Sequence, residues 1–561
     1  MANVMLNSQR NFVEYLEQVN ALVKEAGLDK SKDTLIKSIQ ERELLVPVVG
    51  GFSAGKSTAI NAFLGEDILS VAITPETALA TELRYTQGAS YAEAVKENGQ
   101  AERIELDKFS TLKDRASEFQ FVRLYLNNPK LEQIKPLILV DMPGFDAPLE
   151  AHNKAIMEYL ARGVYFVILD SVENGTIAMS IKKHIDSLMS LGREFSFCLS
   201  KGDLRSKDDI DTIRQSIAQD LELEFGYEKP IHLLSKKDSK AFDKLIAEIN
   251  AESLFEKLFK DDLKVDFIDT KSSLQTTISA LQASKDEAQN AIKELEQGLK
   301  SIAHTKNNLA DNNPIDIQAA VAATLNAVDR ALIADMSSLA KLVISNQQAF
   351  SSEVSEVVRS TLLNEFSKQS KEQIQTLVNA YKIELSGLNL SSFKIDASWL
   401  DNSLNALSSS LNKISINPQD NSVLVDTFGE ALQKLTALLS KIVVLPWLKA
   451  VLSVLAPLVS PLMDLFRNKS IDENELKALI LPKVRVELEN QIANAYSEQI
   501  KALQEIIAVS LENKFKEKQD EISKAQEEKE QIASDLEAKI QGLNQINTSL
   551  ENLANQYLYA K

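Results

Sequence analysis

The sequence predicts an α/β head with a mixed, mostly parallel sheet, followed by a long all-α helical-bundle stalk. Apolar strands alternate with helices up to about residue 255, as where residues 44–49 precede a helix opened by residues 59–64. Strand patterns stop near Glu256, and apolar residues then recur at steps of three and four, which is typical of helices. Only 17 glycines and 13 prolines in 561 residues also favour long helices. The amphipathic N-terminal helix would join the stalk.

These patterns also divide the chain into segments. The predicted boundaries are 1–42 for an N-terminal helical segment, 43–255 for the head, 256–440 for the stalk, 441–469 for an apolar tip and 470–561 for returning helices. A heptad seam with one polar residue lies near the C-terminus, and it could pair with another chain, although such helices more often fold back into a bundle. The seam consists of Leu536, Ile540, Leu543, Asn547, Leu550, Ala554 and Tyr557.

The most informative motif is the run GGFSAGKST at residues 50–58, which matches the phosphate-binding loop GxxxxGK(S/T). It stands between a predicted strand and a predicted helix, where backbone N–H groups and the positive helix end would cradle a β-phosphate. Lys56 would reach the β- and γ-phosphates, and the Ser57 hydroxyl would be a ligand of Mg²⁺. The predicted nucleotide-binding residues here are Gly50, Gly51, Ser53, Ala54, Gly55, Lys56, Ser57 and Thr58.

A second strand, residues 137–140, ends in Asp141-Met142-Pro143-Gly144, which is the DxxG pattern of GTP-binding domains. Asp141 would hold Mg²⁺ through a water molecule. The Gly144 N–H would sense the γ-phosphate. Since the motif follows a phosphate loop in the expected order, it favours a nucleoside triphosphate over a simple strand-end turn.

A third strand, residues 194–199, leads into Ser200-Lys201-Gly202-Asp203, which is similar to the guanine motif (N/T)KxD with serine at its first position. Asp203 would accept two hydrogen bonds from the N1–H and N2–H₂ edge of guanine, and adenine has no matching pair of donors. The sequence therefore favours GTP over ATP. Residues 231–236 form a fainter last strand, and its turn would bring Ser235 and Lys236 to the base.

Three strings, taken in order, resemble the GTPase domain of bacterial dynamin-like proteins: GGFSAGKSTAINAFLG, TPETALATELRY and DMPGFD. The interval of 84 positions between Ser57 and Asp141 is about twice that of compact GTPases and is similar to that of dynamins. The resemblance implies that Thr77 closes over Mg²⁺ and the γ-phosphate, with Thr74 and Thr81 as rival candidates. It thus implies Ser57, Thr77 and Asp141 around the metal, and Ser53, Lys56, Thr77 and Gly144 around the reacting phosphate.

Two aromatic residues bear on the expected rate of hydrolysis. Phe145 follows the DxxG motif, so the glutamine that orients water in Ras-type enzymes is missing, and Phe52 replaces the polar glutamine of animal dynamins. We therefore expect slow turnover by the single chain. In dynamins, head-to-head pairing completes the site, and the acidic residues Asp208, Asp209 and Asp211 are unproven candidates for a role across such a pair.

Composition excludes several classes of function. A net charge of −18 argues against nucleic-acid binding, since that requires a basic footprint. The single cysteine, Cys198, excludes an internal disulfide framework, and the four histidines form no metal-ligand pattern. No signal-peptide pattern appears at the N-terminus, so we expect a cytoplasmic or peripheral membrane protein.

An apolar segment interrupts the helical half at residues 442–463, where 22 residues carry one charge. Its length fits a membrane span, but Pro446, Pro457 and Pro461 would break a helix. The resemblance implies a membrane-inserting paddle at this position, flanked by lysine and arginine suited to anionic lipid headgroups. The alternative is a core segment that neighbouring helices bury.

The leading hypothesis is a dynamin-like GTPase that couples GTP state and self-pairing of heads to membrane or vesicle remodelling. The resemblance adds other dynamin-like proteins as partners and vesicle-associated toxin secretion as a role. The alternative is a GTP-binding helical scaffold with negligible turnover, which the missing glutamine permits. A coiled-coil ATPase is disfavoured because the sequence has neither an LSGGQ-like signature nor the C-terminal apolar strand ending in Asp-Glu.

Overall fold

The computed structural model confirms the predicted fold class, an α/β head joined to a long all-α part. It describes residues 5–51, 54–69, 79–144, 149–235, 240–345, 347–388, 398–417, 422–428, 436–444, 447–448, 472–532 and 535–559.

One mixed sheet forms the centre of the head. Its strands are β1 (Leu44–Gly50), β2 (Ala80–Tyr85), β3 (Tyr91–Val95), β4 (Ala101–Glu105), β5 (Phe121–Leu126), β6 (Leu137–Asp141), β7 (Tyr165–Ser171), β8 (Glu194–Ser200) and β9 (His232–Leu233). Their order across the sheet is β4-β3-β5-β2-β6-β1-β7-β8-β9. The neighbouring strands β6, β1, β7, β8 and β9 are all parallel to one another. Every residue of β1 is buried, as expected for a strand that is covered on both faces.

The long interval between the first two motifs is filled by an additional half-sheet. β2 joins the parallel strands through an antiparallel pairing with β6, and β3 pairs antiparallel with both β4 and β5. A 3₁₀ segment, Leu106–Glu118, connects β4 to β5. In the described residues 79–144, the extra length observed in the sequence is therefore folded structure of the head.

Helices surround this sheet and continue into the stalk. In the head they are α3 (Lys56–Leu64), α4 (Pro129–Gln133), α5 (Leu149–Arg162), α6 (Met179–Ser190), α7 (Lys207–Phe225) and α8 (Lys240–Ala247). Outside the head they are α1 (Asn7–Ala26), α2 (Asp33–Glu41), α9 (Ala251–Gln282), α10 (Lys285–Asp311), α11 (Ile317–Ala334), α12 (Met336–Ser345), α13 (Gln347–Leu385), α14 (Ser398–Ile416), α15 (Ser422–Phe428), α16 (Thr436–Ile442), α17 (Glu473–Gln531) and α18 (Leu536–Tyr557).

Helix α17 organises the stalk, because it contacts α9, α10 and α11. Its first half buries one residue in every four, which produces a single narrow apolar seam along an otherwise exposed helix. These seam residues are Leu476, Ile480, Val484, Leu488, Ile492 and Tyr496. The Asp472 carboxylate caps the helix by accepting hydrogen bonds of 2.8 Å from the N–H groups of Asn474 and Glu475.

The N-terminal helix joins the stalk, as the sequence predicts. α1 contacts α9 and α18, and the Tyr15 ring lies 5.9 Å from the Tyr557 ring. Leu543, Leu550 and Ala554 of the heptad seam are buried in the same chain. These three seam residues are therefore packed within one molecule, which agrees with the fold-back arrangement.

The start of the apolar segment 442–463 belongs to the core. Val443, Val444 and Leu448 are at most 1% exposed, and the Trp447 ring meets the Phe366 ring edge to face at 5.7 Å. Residues 449–471 lie outside the described residues. Among the described helices, α11 is the one whose length and composition would allow it to cross a membrane, and 39% of it is buried. A partly buried apolar helix of this kind is also typical of a soluble core.

Helix α6 joins the head to the stalk. It packs against α13, and one continuous hydrophobic cluster contains Phe166 of β7 together with Val357 of α13. Lys183 of α6 pairs with the carboxylate of Asp335 and donates a 3.0 Å hydrogen bond to Glu353. His184, the next residue, is 1% exposed, and burial together with the charge of Arg359 lowers its pKa to about 3.

Because His184 is neutral in the folded protein and titrates near pH 6.5 when unfolded, acid should destabilise this contact. Its contribution to stability is present above pH 6.5 and is lost as the pH falls toward 3, by about 1.4 kcal/mol per pH unit. We expect the melting temperature of His184→Leu, measured relative to that of wild type, to be higher at pH 5 than at pH 7.5. The same relative melting temperature for His304→Leu, at an exposed position, should change less between these two pH values. An equal difference between His184→Leu and wild type at both pH values would contradict this.

A second set of buried charges connects the α1–α2 segment to the stalk. Lys30 pairs with Asp269 of α9, and Lys514 of α17 pairs with the other oxygen of the same carboxylate. Lys32 pairs with Asp266 at 2.6 Å. Burial alone would raise the pKa of Asp269, but Lys30 and Lys514 outweigh it and hold this pKa well below its usual range. Asp269 is therefore ionised, and together with Glu517, which also pairs with both lysines, it balances the two buried ammonium groups.

Removal of Asp269 should leave two buried lysines, Lys30 and Lys514, with Glu517 as the one carboxylate that the described structure places against both. We expect Asp269→Leu to lower the free energy of unfolding by about 3–5 kcal/mol, which is typical for one half of a buried ion pair. The matched control is Glu530→Gln, because Glu530 and its partner Lys285 are 66% and 69% exposed. Such exposed pairs contribute little to stability because solvent screens them. Denaturant unfolding of both variants would measure this, and similar losses in the two would refute the assignment.

Candidate functional site

The phosphate-binding loop connects β1 to α3, as the sequence predicts. Gly50 ends β1, and a Cβ atom there would stand 2.3 Å from the Leu169 carbonyl oxygen of β7, so no side chain fits. Gly55 has φ +84°, which favours glycine, and forms the N-terminal cap of α3. Ala54, Ser57 and Thr58 occupy the predicted places at the start of this helix. Phe52 and Ser53 lie outside the described residues.

Lys56 lies beneath this loop. Its ammonium group donates hydrogen bonds of 3.0 Å to the carbonyl oxygens of Gly50 and Gly51, and the residue is 7% exposed. The positive charge is thereby held at the first turn of α3, where the helix dipole also favours an anion. A phosphate group placed in the loop would meet both.

Asp141 and Ser57 meet directly at the end of β6. The Ser57 hydroxyl donates a 2.7 Å hydrogen bond to Oδ2 of Asp141, whereas Oδ1 is buried and has no partner within the described structure. Burial raises the pKa of Asp141 to about 6, while the Ser57 hydrogen bond and the charge of Lys56 oppose this shift. A buried carboxylate oxygen without a partner, beside a hydroxyl group, fits a hard cation such as Mg²⁺.

The structure describes only some of the other residues that the sequence predicts near the phosphates. Gly144 lies just beyond β6, after Met142, whose N–H donates to the Val48 carbonyl at 3.4 Å. Thr81 lies within β2, opposite Asp141, and its hydroxyl bonds the Leu79 carbonyl at 3.5 Å. Thr74, Thr77 and Phe145 lie outside the described residues. The switch role of Thr77 therefore stays a prediction.

The guanine motif follows β8 at the same edge of the sheet. The Ser200 hydroxyl donates to the Asp170 carbonyl of β7 at 3.1 Å, and a Cβ atom on Gly55 would lie 3.9 Å from Ser200 Cβ. Lys201 has φ +59°, and Asp203 is exposed. The motif is therefore adjacent to the phosphate loop.

The turn after β9 is next to this motif. The Gly202 N–H donates to the Leu234 carbonyl at 3.1 Å, and the Leu234 N–H donates to the Leu199 carbonyl at 2.6 Å. Ser235 follows directly, whereas Lys236 lies outside the described residues. The structure thus brings together the loops after β1, β6, β8 and β9 at the carboxyl ends of parallel strands, where ligands of open α/β sheets bind.

Two residues near this edge were not identified from the sequence. Asp170 is the penultimate residue of β7, is 1% exposed, and accepts hydrogen bonds from Ser171 N–H and Asn174. Glu173 pairs with Lys201 of the guanine motif. An acidic residue directly after a run of apolar strand residues is the signal that could have indicated Asp170, because such a carboxylate needs buried donors.

Comparison with known proteins agrees with this geometry. The model of the family described as "Dynamin family" matches residues 46–189, which run from β1 to α6 and contain the phosphate loop and the DxxG motif. The head of this chain is therefore similar to that of dynamin-family proteins.

Two curated relatives illustrate the match. Dynamin-like protein 2 of Campylobacter jejuni is 24% identical over 258 residues, which cover 45% of this chain and 38% of that protein. A Caldicellulosiruptor protein described only as an uncharacterized protein in the xynA 3′ region is 24% identical over 221 residues, 38% of this chain and 53% of its own length. The matched part of this chain therefore covers about half or less of the length of each of these relatives.

A solved structure of an oligomerised bacterial dynamin pair, described as sensing and tethering membranes at long range, aligns over 96% of this chain and 95% of its own. Its TM-score is 0.33 and its sequence identity 13%. A similarity this low supports no inference about the present molecule.

The buried ammonium group makes the first test of the site. Replacing Lys56 with alanine removes the charge held under the phosphate loop, so we expect affinity for Mg²⁺-GTP to fall at least about 100-fold, since charge-assisted bonds to phosphate are among the strongest in proteins. A fluorescent GTP analogue would measure binding. Lys244→Ala, on α8, is the control for loss of a lysine from the head. Binding retained by Lys56→Ala would mean that the loop holds no phosphate.

Proposed function

We propose that this protein is a dynamin-like GTPase, which binds and hydrolyses GTP and couples nucleotide state and pairing of heads to membrane or vesicle remodelling. The observation that carries the proposal is the contact of Ser57 with Asp141 beneath the phosphate loop, at 2.7 Å, beside the buried Lys56. A hydroxyl, a carboxylate and an ammonium group so close together would suit a Mg²⁺-bound triphosphate, and the match to the dynamin family covers the same residues.

Each loop has a proposed part in binding. Gly50, Gly51 and the first turn of α3 hold the β-phosphate, and Lys56 neutralises charge on the β- and γ-phosphates. Ser57 and Asp141 hold Mg²⁺, which when bound supplies Lewis-acid stabilisation of the phosphate oxygens. Gly144 contacts the γ-phosphate. The predicted loop set further includes Ser53, Ala54, Gly55 and Thr58 at the phosphates, Thr77 at the metal, and Lys201, Asp203, Ser235 and Lys236 at the base.

Slow turnover by one chain is proposed on electrostatic grounds. In the sequence of residues 50–58 and 141–145, Lys56 is the only positively charged residue. A phenylalanine follows the DxxG motif. Phosphoryl transfer depends on charge stabilisation and on orientation of the attacking water. A second head would supply the missing groups, as arginine fingers do in other GTPases.

Membrane contact is proposed for the apolar segment 442–463, in the part beyond Leu448, because the described residues before it are core. The basic residues Lys449, Arg467 and Lys469 suit anionic headgroups. Other dynamin-like proteins as partners, a cytoplasmic or peripheral location and a role in toxin-carrying vesicles belong to the same proposal. They rest on the resemblance alone.

The second candidate is a scaffold that binds GTP with negligible turnover, favoured by Phe145 in place of a water-orienting glutamine. One experiment separates the two. We expect GTP turnover per chain to rise with protein concentration, and further with vesicles of anionic lipid, because pairing completes the site. The Lys56→Ala protein at the same concentrations is the blank. Tight GTP binding with flat, near-zero turnover would support the scaffold, and absence of GTP binding would refute both.

A further inference from the structure

A short loop after β7 contacts the guanine motif. It contains the 3₁₀ turn Val172–Asn174 and ends at α6, and no sequence motif marks it. Its Glu173 carboxylate pairs with the Lys201 ammonium at 2.5 Å, although the two residues are 28 positions apart. The loop therefore contacts the side chain that lies two positions before Asp203.

Asp170 holds this loop in shape. Its carboxylate accepts hydrogen bonds from the Ser171 N–H at 2.8 Å, the Asn174 side chain at 2.5 Å and the Ala178 N–H at 3.3 Å. Burial raises the pKa of Asp170, and these three hydrogen bonds oppose that shift. Since both ends of the loop are bound to one buried group, the backbone of Glu173 has a fixed position.

Glu173 itself makes contacts on both sides. The Ser171 hydroxyl donates to its carboxylate at 3.3 Å, and Arg205 donates to its carbonyl oxygen at 3.2 Å. The hydrogen bond and charge of Lys201 hold the pKa of Glu173 below its ordinary value. The loop thus contacts the guanine motif at Lys201 and the segment beyond it at Arg205, with Asp203 between them.

The conformation of Lys201 explains why an ion pair that restricts its side chain would favour ligand binding. Its φ of +59° is unusual for a residue with a side chain, and it sends the chain from β8 into the Gly202–Asp203 turn. A free lysine side chain loses rotamer entropy when it is fixed. If an ion pair has already restricted it, a ligand that packs on its methylene groups meets a smaller entropic cost.

We propose that Glu173 is a positioning residue for the guanine nucleotide and acts through Lys201, with Asp170 as the support of its loop. This rests on the proposed function, since it assumes that the base lies at Lys201 and Asp203. Glu173 does not touch the base. It keeps the lysine side chain along the base-binding side of the site, and so slows dissociation of the nucleotide without reading the guanine edge.

The test compares Glu173→Gln, Lys201→Met and the double variant in binding and dissociation of a fluorescent Mg²⁺-GTP analogue. For a pair exposed to 50% and 29%, we expect Glu173→Gln to weaken binding about three- to fivefold, mainly through faster dissociation. The double variant should bind no more weakly than Lys201→Met, because Glu173 acts through that side chain. Glu224→Gln removes a similar ion pair with Lys182, away from the motif, and should change nothing.

A second measurement separates positioning from a general loss of structure. Inosine triphosphate lacks the N2 amino group, so Asp203→Asn should reduce the ratio of GTP to inosine triphosphate affinity, whereas Glu173→Gln should leave that ratio unchanged. High salt should shrink the effect of Glu173→Gln because it screens an exposed pair. Melting temperatures should stay within error of wild type.

The failures are distinct. Unchanged or tighter GTP binding by Glu173→Gln would overturn the inference, and so would effects of Glu173→Gln and Lys201→Met that simply add. Neither result would affect the proposed function as long as wild type binds GTP. Loss of GTP binding in wild type would remove both.

Discussion

The parallel pairing of β1 with β6 is the constraint on which the nucleotide site depends. In this register Val48 lies opposite Asp141, so the carboxylate emerges beside the loop that begins at Gly50. A shift of one residue would turn Asp141 to the other face of the sheet and separate it from Ser57. The apolar runs of both strands, buried between layers of helices, set the register. The chemistry at the edge therefore follows from hydrophobic packing in the centre of the head.

Much of this site could be predicted from the sequence because its motifs are local. The phosphate loop, the DxxG turn and the SKGD turn each occupy one stretch of chain, and the strand before each is apolar enough to be recognised. Thr81 illustrates the limit, since its neighbours in sequence do not show that it belongs to β2 and lies opposite Asp141. Asp170 and Glu173 were missed for a related reason: their partners are backbone groups, the Asn174 side chain and a lysine that follows another strand, and no residue pattern indicates such contacts.

At two junctions between parts of the molecule, buried charges have a different role from that of the apolar clusters. At the first, Lys30 and Lys514 share Asp269, and at the second, Lys183 lies between Asp335 and Glu353. Burying ions adds little net stability, since desolvation offsets the attraction, but a misplaced partner is penalised heavily. The apolar clusters hold the helices together, and these ions define which helices meet. Composition shows only a chain with many charges, because burial of particular lysines depends on helices far apart in sequence.

The length of α17 gives the stalk a mechanical property. Its 59 residues extend for about 90 Å in a straight helix. Leu476 to Tyr496 belong to the apolar cluster that reaches into the head, whereas Ala502 to Ala525 belong to a separate cluster of the stalk. If the helix turned as one body about its end at the head, a tilt of about 5° would displace the far end by about 8 Å. A small movement at the head would then be amplified along the stalk.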